Sequence, residues 1–261
     1  MMESLLFFSI IGSLTGLVAG LFGIGGGVIM VPAILFALVH IGADASVSMH
    51  VAVGTSLSVI ALTGLSSAIA HWQKGAVETK VFLRMAPGLL LGAVLGAVVA
   101  DFMSAGLLRT FFGIFIIFVA LKMYLGAGRA HRLVTPSATL MALAGALIGG
   151  FSALFGVGGG VLSVPWLTRL GLVMQTAVGT SAACGVPIAF LGTGAFMVTG
   201  YSVDVLGSNV GYIYWPATVG LVCFSVPSAR IGVRMAHRLP QAFLKKLFAG
   251  LLFTVGVLLI F

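Results

Sequence analysis

The segment Leu21-Phe22-Gly23-Ile24-Gly25-Gly26-Gly27-Val28 returns later in the chain, with one substitution, as Leu154-Phe155-Gly156-Val157-Gly158-Gly159-Gly160-Val161. Around these segments, residues 12–32 and 145–165 align without a gap at an offset of 133, and 12 of 21 positions are identical. Both aligned stretches end in Val-Pro. Because adjacent glycines interrupt a helix, each copy predicts two helical pieces joined by a glycine turn.

A second block follows the first in both halves. Ala52-Val53-Gly54-Thr55-Ser56 matches Ala177-Val178-Gly179-Thr180-Ser181. Apolar, glycine-rich segments resemble one another by composition, but that does not explain two ordered blocks in the same succession. We therefore expect two copies of one unit, residues 1–130 and residues 131–261, within a single membrane domain.

The composition predicts that both copies lie in a membrane. The 261 residues include only 13 basic and 5 acidic side chains, so 7% are charged, against about 25% in soluble domains. Apolar residues make up 60% of the chain, and its mean hydropathy is +1.24. This excludes a soluble domain and a disordered chain, and the absence of a G-X-Y period excludes collagen. The 37 glycines favour helices that touch closely through small residues.

The predicted fold is an all-α polytopic membrane protein with two inverted-topology repeats. Each repeat is a broken, re-entrant helical hairpin, 5–40 or 137–172, followed by three transmembrane helices. The second piece of each hairpin is too short to span, since 28–40 gives about 20 Å of helix against about 30 Å of hydrocarbon. The apolar segments lie at about 5–22, 28–40, 49–71, 85–101 and 107–125, and at about 137–155, 161–172, 177–199, 212–230 and 246–261.

Loop charges predict the orientation of the repeats. Loop 72–84 carries Lys74, Lys80 and Arg84 against one acid, so we expect it in the cytoplasm. Its counterpart, 200–211, carries only Asp204 and should lie outside. The linker 126–136, with Arg129 and Arg132, is basic and should lie inside, with both chain termini outside. Opposite signs in matching loops indicate inverted repeats, which are typical of transporters.

The glycine blocks are the first candidate for a binding site. Helices that begin after them, at Val28 and Val161, present free N–H groups and a positive dipole end, which bind anions without a charged side chain. With inverted halves, two such ends can face each other near the midplane. The alternative is that the glycines only permit tight packing, which is our reading of Gly12, Gly16 and Gly20 and of Gly88, Gly92 and Gly96. The candidate ligands are Gly23, Gly25, Gly26, Gly27, Gly156, Gly158, Gly159 and Gly160.

Hydroxyl groups beside the glycine turns are the second candidate. Thr55, Ser56, Thr180 and Ser181 can donate to anion oxygens, or they can bond back to their own helix carbonyls. His50, with Gln175 at the matching position, is a candidate gate or an interfacial histidine. His71, Trp72 and Trp215 are expected to be interfacial anchors.

Several classes of function find no support in the residues. The segments carry no Asp or Glu at mid-depth, and Cys184 and Cys223 form no metal spacing or disulfide framework. We therefore predict no enzyme, no catalytic residue, no metal and no cofactor. The net charge of +8 is spread between apolar segments, so it favours membrane orientation over nucleic-acid binding.

With both blocks in place, the chain resembles the TauE/SafE (TSUP) family of sulfite and organosulfonate membrane transporters. The resemblance rests on G-x-G-G-G-x-x-x-V-P at 23–32 and 156–165, followed by the two A-V-G-T-S stretches, and it covers essentially the whole chain. It implies a bacterial-type inner-membrane permease for a small sulfur-containing anion such as sulfite or sulfoacetate. The alternative is an anion channel with the same backbone donors. The expected partners are the sulfur oxyanion and membrane lipid. The Gly88, Gly92 and Gly96 face could serve a homodimer as easily as a contact inside the chain.

Overall fold

The computed structural model describes residues 2–23, 25–125, 136–205 and 207–260. These form ten helices and one two-stranded hairpin, which confirms an all-α polytopic membrane fold. The basic linker residues Arg129 and Arg132 lie outside the described residues. The helices are α1 (Met2–Phe22), α2 (Gly27–His40), α3 (Ala45–Trp72), α4 (Thr79–Asp101), α5 (Ala105–Leu125), α6 (Ala138–Leu154), α7 (Gly160–Arg169), α8 (Met174–Thr199), α9 (Trp215–Ala236) and α10 (Gln241–Ile260).

Helix lengths follow the predicted segments in order. The helices after the glycine turns, α2 with 14 residues and α7 with 10, are short as expected. In the part of the chain that the structure describes, α3, α4, α8 and α9 are long and apolar enough to cross a membrane. Helix α3 starts before its predicted apolar segment because Asp44 accepts a hydrogen bond from the Ser46 N–H at 2.8 Å and caps the helix.

One predicted boundary is wrong. Residues 212–214 were expected to begin a helix, but β1 (Asn209–Val210) and β2 (Ile213–Tyr214) form an antiparallel hairpin there. Gly211 makes the turn with φ of +57°, a conformation that side chains rarely adopt. Helix α9 starts only at Trp215, with Pro216 in its first turn, where a missing N–H costs no hydrogen bond.

The two halves interlock. Helix α1 packs along α9 and α4 packs along α6, so the first helix of each half lies against the fourth helix of the other. Helix α3 packs on its counterpart α8, and α5 packs on its counterpart α10. This set of pairs is unchanged when every helix is exchanged for its counterpart, as a two-fold relation between the halves requires. The orientation of the halves in the membrane and the boundary near residue 130 stay predictions.

Glycines spaced by four residues make the closest helix pairs. A Cβ atom on Gly92 would overlap the carbonyl oxygen of Ala146 in α6, and one on Gly16 would overlap that of Ser225 in α9. Gly88, Gly96, Gly12 and Gly20 are equally restricted by backbone atoms of the opposite helix. The expected role in helix packing is confirmed. The Gly88, Gly92 and Gly96 face is used inside the chain, so it does not supply the surface for the predicted homodimer.

We expect Gly92→Ala to destabilise the protein and Gly106→Ala to leave it unchanged or slightly more stable. Alanine favours a helix over glycine by about 1 kcal/mol, and a Cβ on Gly106 meets nothing within 4 Å. At Gly92 the same methyl group forces α4 and α6 apart, which costs about 1–3 kcal/mol. Thermal unfolding of the purified variants in detergent measures the difference. Equal midpoints for the two variants would contradict this packing.

Candidate functional site

The two glycine blocks meet each other inside the protein. We call this contact, between residues 23–27 and 156–160, the glycine crossing. A Cβ on Gly25 would lie 3.3 Å from Cα of Gly158, and one on Gly27 would overlap the carbonyl oxygen of Gly156. The blocks also turn alike, since φ is +65° at Gly23 and +66° at Gly156. The structure therefore brings Gly25 and Gly27 against Gly156 and Gly158 of the other half. Three of the other predicted glycines face other elements: Gly23 faces Val178, Gly26 faces Thr15 and Gly159 faces Ile188.

Two helices begin at the glycine crossing. Helix α2 follows Gly26 and α7 follows Gly159, with φ of +82° and +84° at these two N-cap residues. Neither helix start is capped by a side chain, so its first N–H groups keep their capacity for another acceptor. A Cβ placed on Gly25 would already lie 3.3 Å from Cα of Gly158, so the gap between these two residues is filled by about one methyl group and leaves no room for an anion. The crossing is closed in this conformation.

Ile60 closes one side of the glycine crossing, and sequence reasoning missed it. Its side chain is fully buried, with Cγ2 2.5 Å from a Cβ placed on Gly25 and Cδ1 2.9 Å from one placed on Gly27. At the matching position in α8 stands Gly185, where an added Cβ would overlap the Gly158 carbonyl oxygen. The second repeat block aligns the two halves at an offset of 125, and continuing this alignment places Ile60 opposite Gly185. This difference between the halves was the signal in the sequence that could have identified Ile60.

The predicted serines connect each half to the glycine turn of the other. The Ser56 hydroxyl donates to the Gly156 carbonyl at 2.9 Å, and the Ser181 hydroxyl donates to the Gly23 carbonyl at 3.1 Å. Ser181 also lies 2.8 Å from the hydroxyl of Ser163. All three serines are buried. These bonds satisfy carbonyl groups that the broken helices leave without an intrahelical donor.

The predicted threonines bind the starts of α9 and α4, each in the opposite half of the chain. Thr55 Oγ1 accepts the N–H of Tyr214 at 2.9 Å, and Thr180 Oγ1 accepts the N–H of Glu78 at 2.9 Å. Tyr214 and Glu78 are the N-cap residues of α9 and α4, which are counterparts. The preceding glycines allow this approach, since a Cβ on Gly54 would lie 2.7 Å from the Tyr212 carbonyl oxygen. In this conformation all four predicted hydroxyls bond to backbone of the opposite half.

His50 fastens the end of α4 to the start of α3. Its Nε2 lies 3.0 Å from both the Ala100 and the Met103 carbonyl oxygens, so Nε2 carries the proton and donates. The ring is buried and stacks on Tyr212 at 5.2 Å. It therefore lies inside the protein and not at its surface, while the predicted gate function of His50 and Gln175 stays a prediction.

Tyr212, which stacks on His50, also bonds to Asp101. Its hydroxyl donates to Oδ1 of Asp101 at 2.9 Å. Burial, the hydrogen bond and the charge of Asp101 raise the pKa of Tyr212 to about 12, so the phenol stays neutral. The hairpin that precedes α9 is thereby tied to the C-terminal end of α4.

Comparison with known proteins decides the family. The model of the family described as sulfite exporter TauE/SafE matches residues 8–259. A probable membrane transporter protein of Haemophilus influenzae is 32% identical over 251 residues, 95% of each chain. The chain belongs to the TauE/SafE family. A probable membrane transporter protein of Methanocaldococcus jannaschii is 25% identical, covering 96% of this chain and 93% of its own, and YunE of Bacillus subtilis is 31% identical, covering 80% and 81%. No solved structure gives a significant match.

This TauE/SafE chain is therefore a multi-pass membrane transporter.

Two helix interfaces that the repeat makes equivalent differ in polarity. Hydroxyl pairs join α3 to α9, with Ser58 2.8 Å from Thr218 and Thr63 2.6 Å from Ser225. The matching interface between α8 and α4 is apolar, built from Val81, Met85, Leu89, Cys184 and Ile188. Among the residues that the structure describes, hydroxyl pairs thus join α3 to α9, while the matching α8–α4 contact is built from apolar side chains.

His71 ends the polar interface and corrects an expectation. His71 was predicted to anchor the protein at the membrane surface, but it is fully buried. Its Nε2 donates to the Gly20 carbonyl at 3.1 Å, and its Nδ1 lies 3.3 Å from Nε2 of His237. Trp72 and Trp215 are exposed, as an anchor requires.

Among the side chains that the structure describes, no three His, Cys, Asp or Glu residues gather as a metal ion would need.

We expect Thr55→Ala and Thr180→Ala each to cost about 1–3 kcal/mol of stability, because each leaves a helix-start N–H without its acceptor. Thr55→Ser and Thr180→Ser keep the hydroxyl and should stay close to wild type. Thermal unfolding in detergent gives the comparison.

Thr110→Ala is the matched control. The Thr110 hydroxyl is exposed and bonds to Gly106 of its own helix, so we expect a change within about 0.5 kcal/mol. If Thr55→Ala and Thr180→Ala were as stable as this control, the cross-half bonds would not support the fold.

Proposed function

We propose that the transporter is a secondary carrier for a small sulfur-containing anion, such as sulfite or an organosulfonate like sulfoacetate. The anion would bind near the midplane at the glycine crossing, which each side of the membrane would reach in turn. The observation that supports the proposal is the contact between the two glycine turns, one from each half, each of which leads into a helix without a side-chain cap. The description of the family, sulfite exporter, supports the chemical class of the substrate.

Backbone donors suit such a substrate. Each helix start carries the equivalent of about half a positive charge, and two of them can balance one anion. A sulfite or sulfonate group presents three oxygens, which accept N–H donors from the first turns of α2 and α7. No lysine or arginine is then needed at the crossing, and the desolvation cost of a buried cation is avoided.

The serines would change partners during transport. In the closed conformation Ser56 and Ser181 donate to the Gly156 and Gly23 carbonyls. When the blocks separate, the same hydroxyls become available to the oxygens of the anion. Opening and binding are thereby coupled, because the anion replaces the acceptors that each serine loses.

Movement of one half against the other follows from the closed crossing. The substrate has no space between Gly25 and Gly158 until the blocks part, and Ile60 must leave its position beside Gly25. The cross-half bonds of Thr55 and Thr180 lie at the starts of α9 and α4, where the halves would turn about each other. This motion is alternating access around a fixed site.

Flux measurements test the substrate class. In proteoliposomes we expect saturable uptake of sulfite or sulfoacetate, above that of protein-free vesicles, with sulfate as the comparison anion. The absence of saturable transport of all three would overturn the proposal. Single-channel currents, or flux that does not saturate, would favour the anion channel over the carrier.

A separate variant tests the site. Gly25→Ala should reduce transport at least ten-fold, while Gly42→Ala should transport normally. Both place alanine at a positive φ, +69° and +79°, so they share the backbone strain of about 1–2 kcal/mol. Only the Gly25 methyl group enters the crossing, since a Cβ on Gly42 meets nothing within 4 Å.

The double variant Gly25→Ala/Ile60→Ala separates binding from packing. Removing the Ile60 side chain relieves its clash with the new methyl group, and Ile60→Ala alone is the baseline for stability and flux. We expect the double variant to be less stable than this baseline only by the backbone strain of about 1–2 kcal/mol, and still to transport poorly. Flux equal to that of Ile60→Ala would mean that Gly25 serves packing only.

A further inference from the structure

A cationic cavity lies between the ends of α3 and α9, away from the glycine crossing. It has a volume of about 390 Å³ and is lined by Gln73 and Lys74, which follow α3, and by Arg230 and Arg234 of α9. A second cavity of about 340 Å³ shares the two arginines and continues over Pro227 and Ile231. The two cavities form one groove along α9.

The groove carries uncompensated positive charge. Lys74, Arg230 and Arg234 are exposed, and none of the residues that line either cavity is acidic. His237, which ends α9, has its pKa lowered by burial and by the charge of Lys74, so it remains neutral and bonds to His71. Arg230 and Arg234 are one helical turn apart and so share one face of α9. Such a face suits a phosphate group, which takes several N–H donors at once.

The surroundings of these cations are apolar. Ile69 and Ile231 line the groove and are 44% and 51% exposed, and Trp72 at the end of α3 is 58% exposed. An exposed tryptophan at the end of a spanning helix is typical of the membrane surface. A soluble anion gains nothing from this apolar wall, whereas a lipid uses both the cations and the wall.

We propose that this groove binds an anionic phospholipid, with its phosphate between Lys74, Arg230 and Arg234 and an acyl chain along Ile69 and Ile231. Basic pockets between helices on the cytoplasmic side are suited to such head groups, and the charge pattern predicts that side for loop 72–84. The lipid would bridge α3 of one half and α9 of the other beside their polar interface. It would thereby stabilise the packed halves, whatever solute the protein carries.

Lipid binding to the purified full-length protein tests this. We expect phosphatidylglycerol to raise the thermal unfolding midpoint by several degrees more than phosphatidylcholine, and to be retained in native mass spectra. Arg230→Gln/Arg234→Gln should weaken phosphatidylglycerol binding about 30-fold, from about ten-fold for each 1.4 kcal/mol and a typical contribution near 1 kcal/mol per cation. Lys74→Gln changes a loop residue outside the helices and should lower the shift without affecting the fold.

Arg84→Gln is the matched control, because Arg84 is an exposed arginine of α4 that does not line the groove. It should keep the full effect of phosphatidylglycerol. An equal loss in Arg84→Gln would show diffuse charge attraction and overturn the proposal, as would an unchanged lipid shift in Lys74→Gln. Inorganic phosphate alone should give no shift, and a shift equal to that of phosphatidylglycerol would reveal a free-anion site instead.

Discussion

Broken helices inside a membrane leave backbone groups that water cannot satisfy, and this constraint shapes the centre of the protein. Each glycine turn leaves carbonyl and N–H groups without intrahelical partners. The carbonyls of Gly23 and Gly156 are satisfied by serines of the opposite half, and the starts of α4 and α9 are held by threonines of the opposite half. Because no half completes its own bonds, the two halves are stable only together.

The same bonds make the contact between the halves suitable for movement. They are matched in pairs, and each joins a hydroxyl of one half to a backbone atom of the other. The helix pairs α1–α9 and α4–α6 behave differently, since their glycines bring backbone against backbone over several turns. Each of these pairs joins a helix of one half to a helix of the other, so the pairs hold the two halves together. Where α3 and α9 have hydroxyl pairs, the matching α8–α4 position has an apolar cluster of described residues, so the two halves are not equivalent there.

Much of this could be predicted from the sequence, because repetition and apolar length report on helices directly. The ten segments, the short α2 and α7 and the packing glycines follow from such patterns. The partners of Thr55 and Ser56 could not, since a hydroxyl gives the same signal whether it bonds to its own helix, a ligand or another half. The hairpin at 209–214 was missed because Tyr212, Ile213 and Tyr214 run directly into the apolar helix that follows. The burial of His71 could not be predicted because its partner, the Gly20 carbonyl, is far away in the chain.

The central claim is that an anion lies between the starts of α2 and α7 once the crossing opens. The most direct measurement is the position of selenite, an analogue of sulfite, found by its anomalous scattering in crystals of the protein. We expect selenite between the two helix starts, with its oxygens about 3 Å from first-turn nitrogens of both helices. We also expect the Ser56 and Ser181 hydroxyls to have left the Gly156 and Gly23 carbonyls. Selenium found only elsewhere, with the crossing still closed, would contradict this claim.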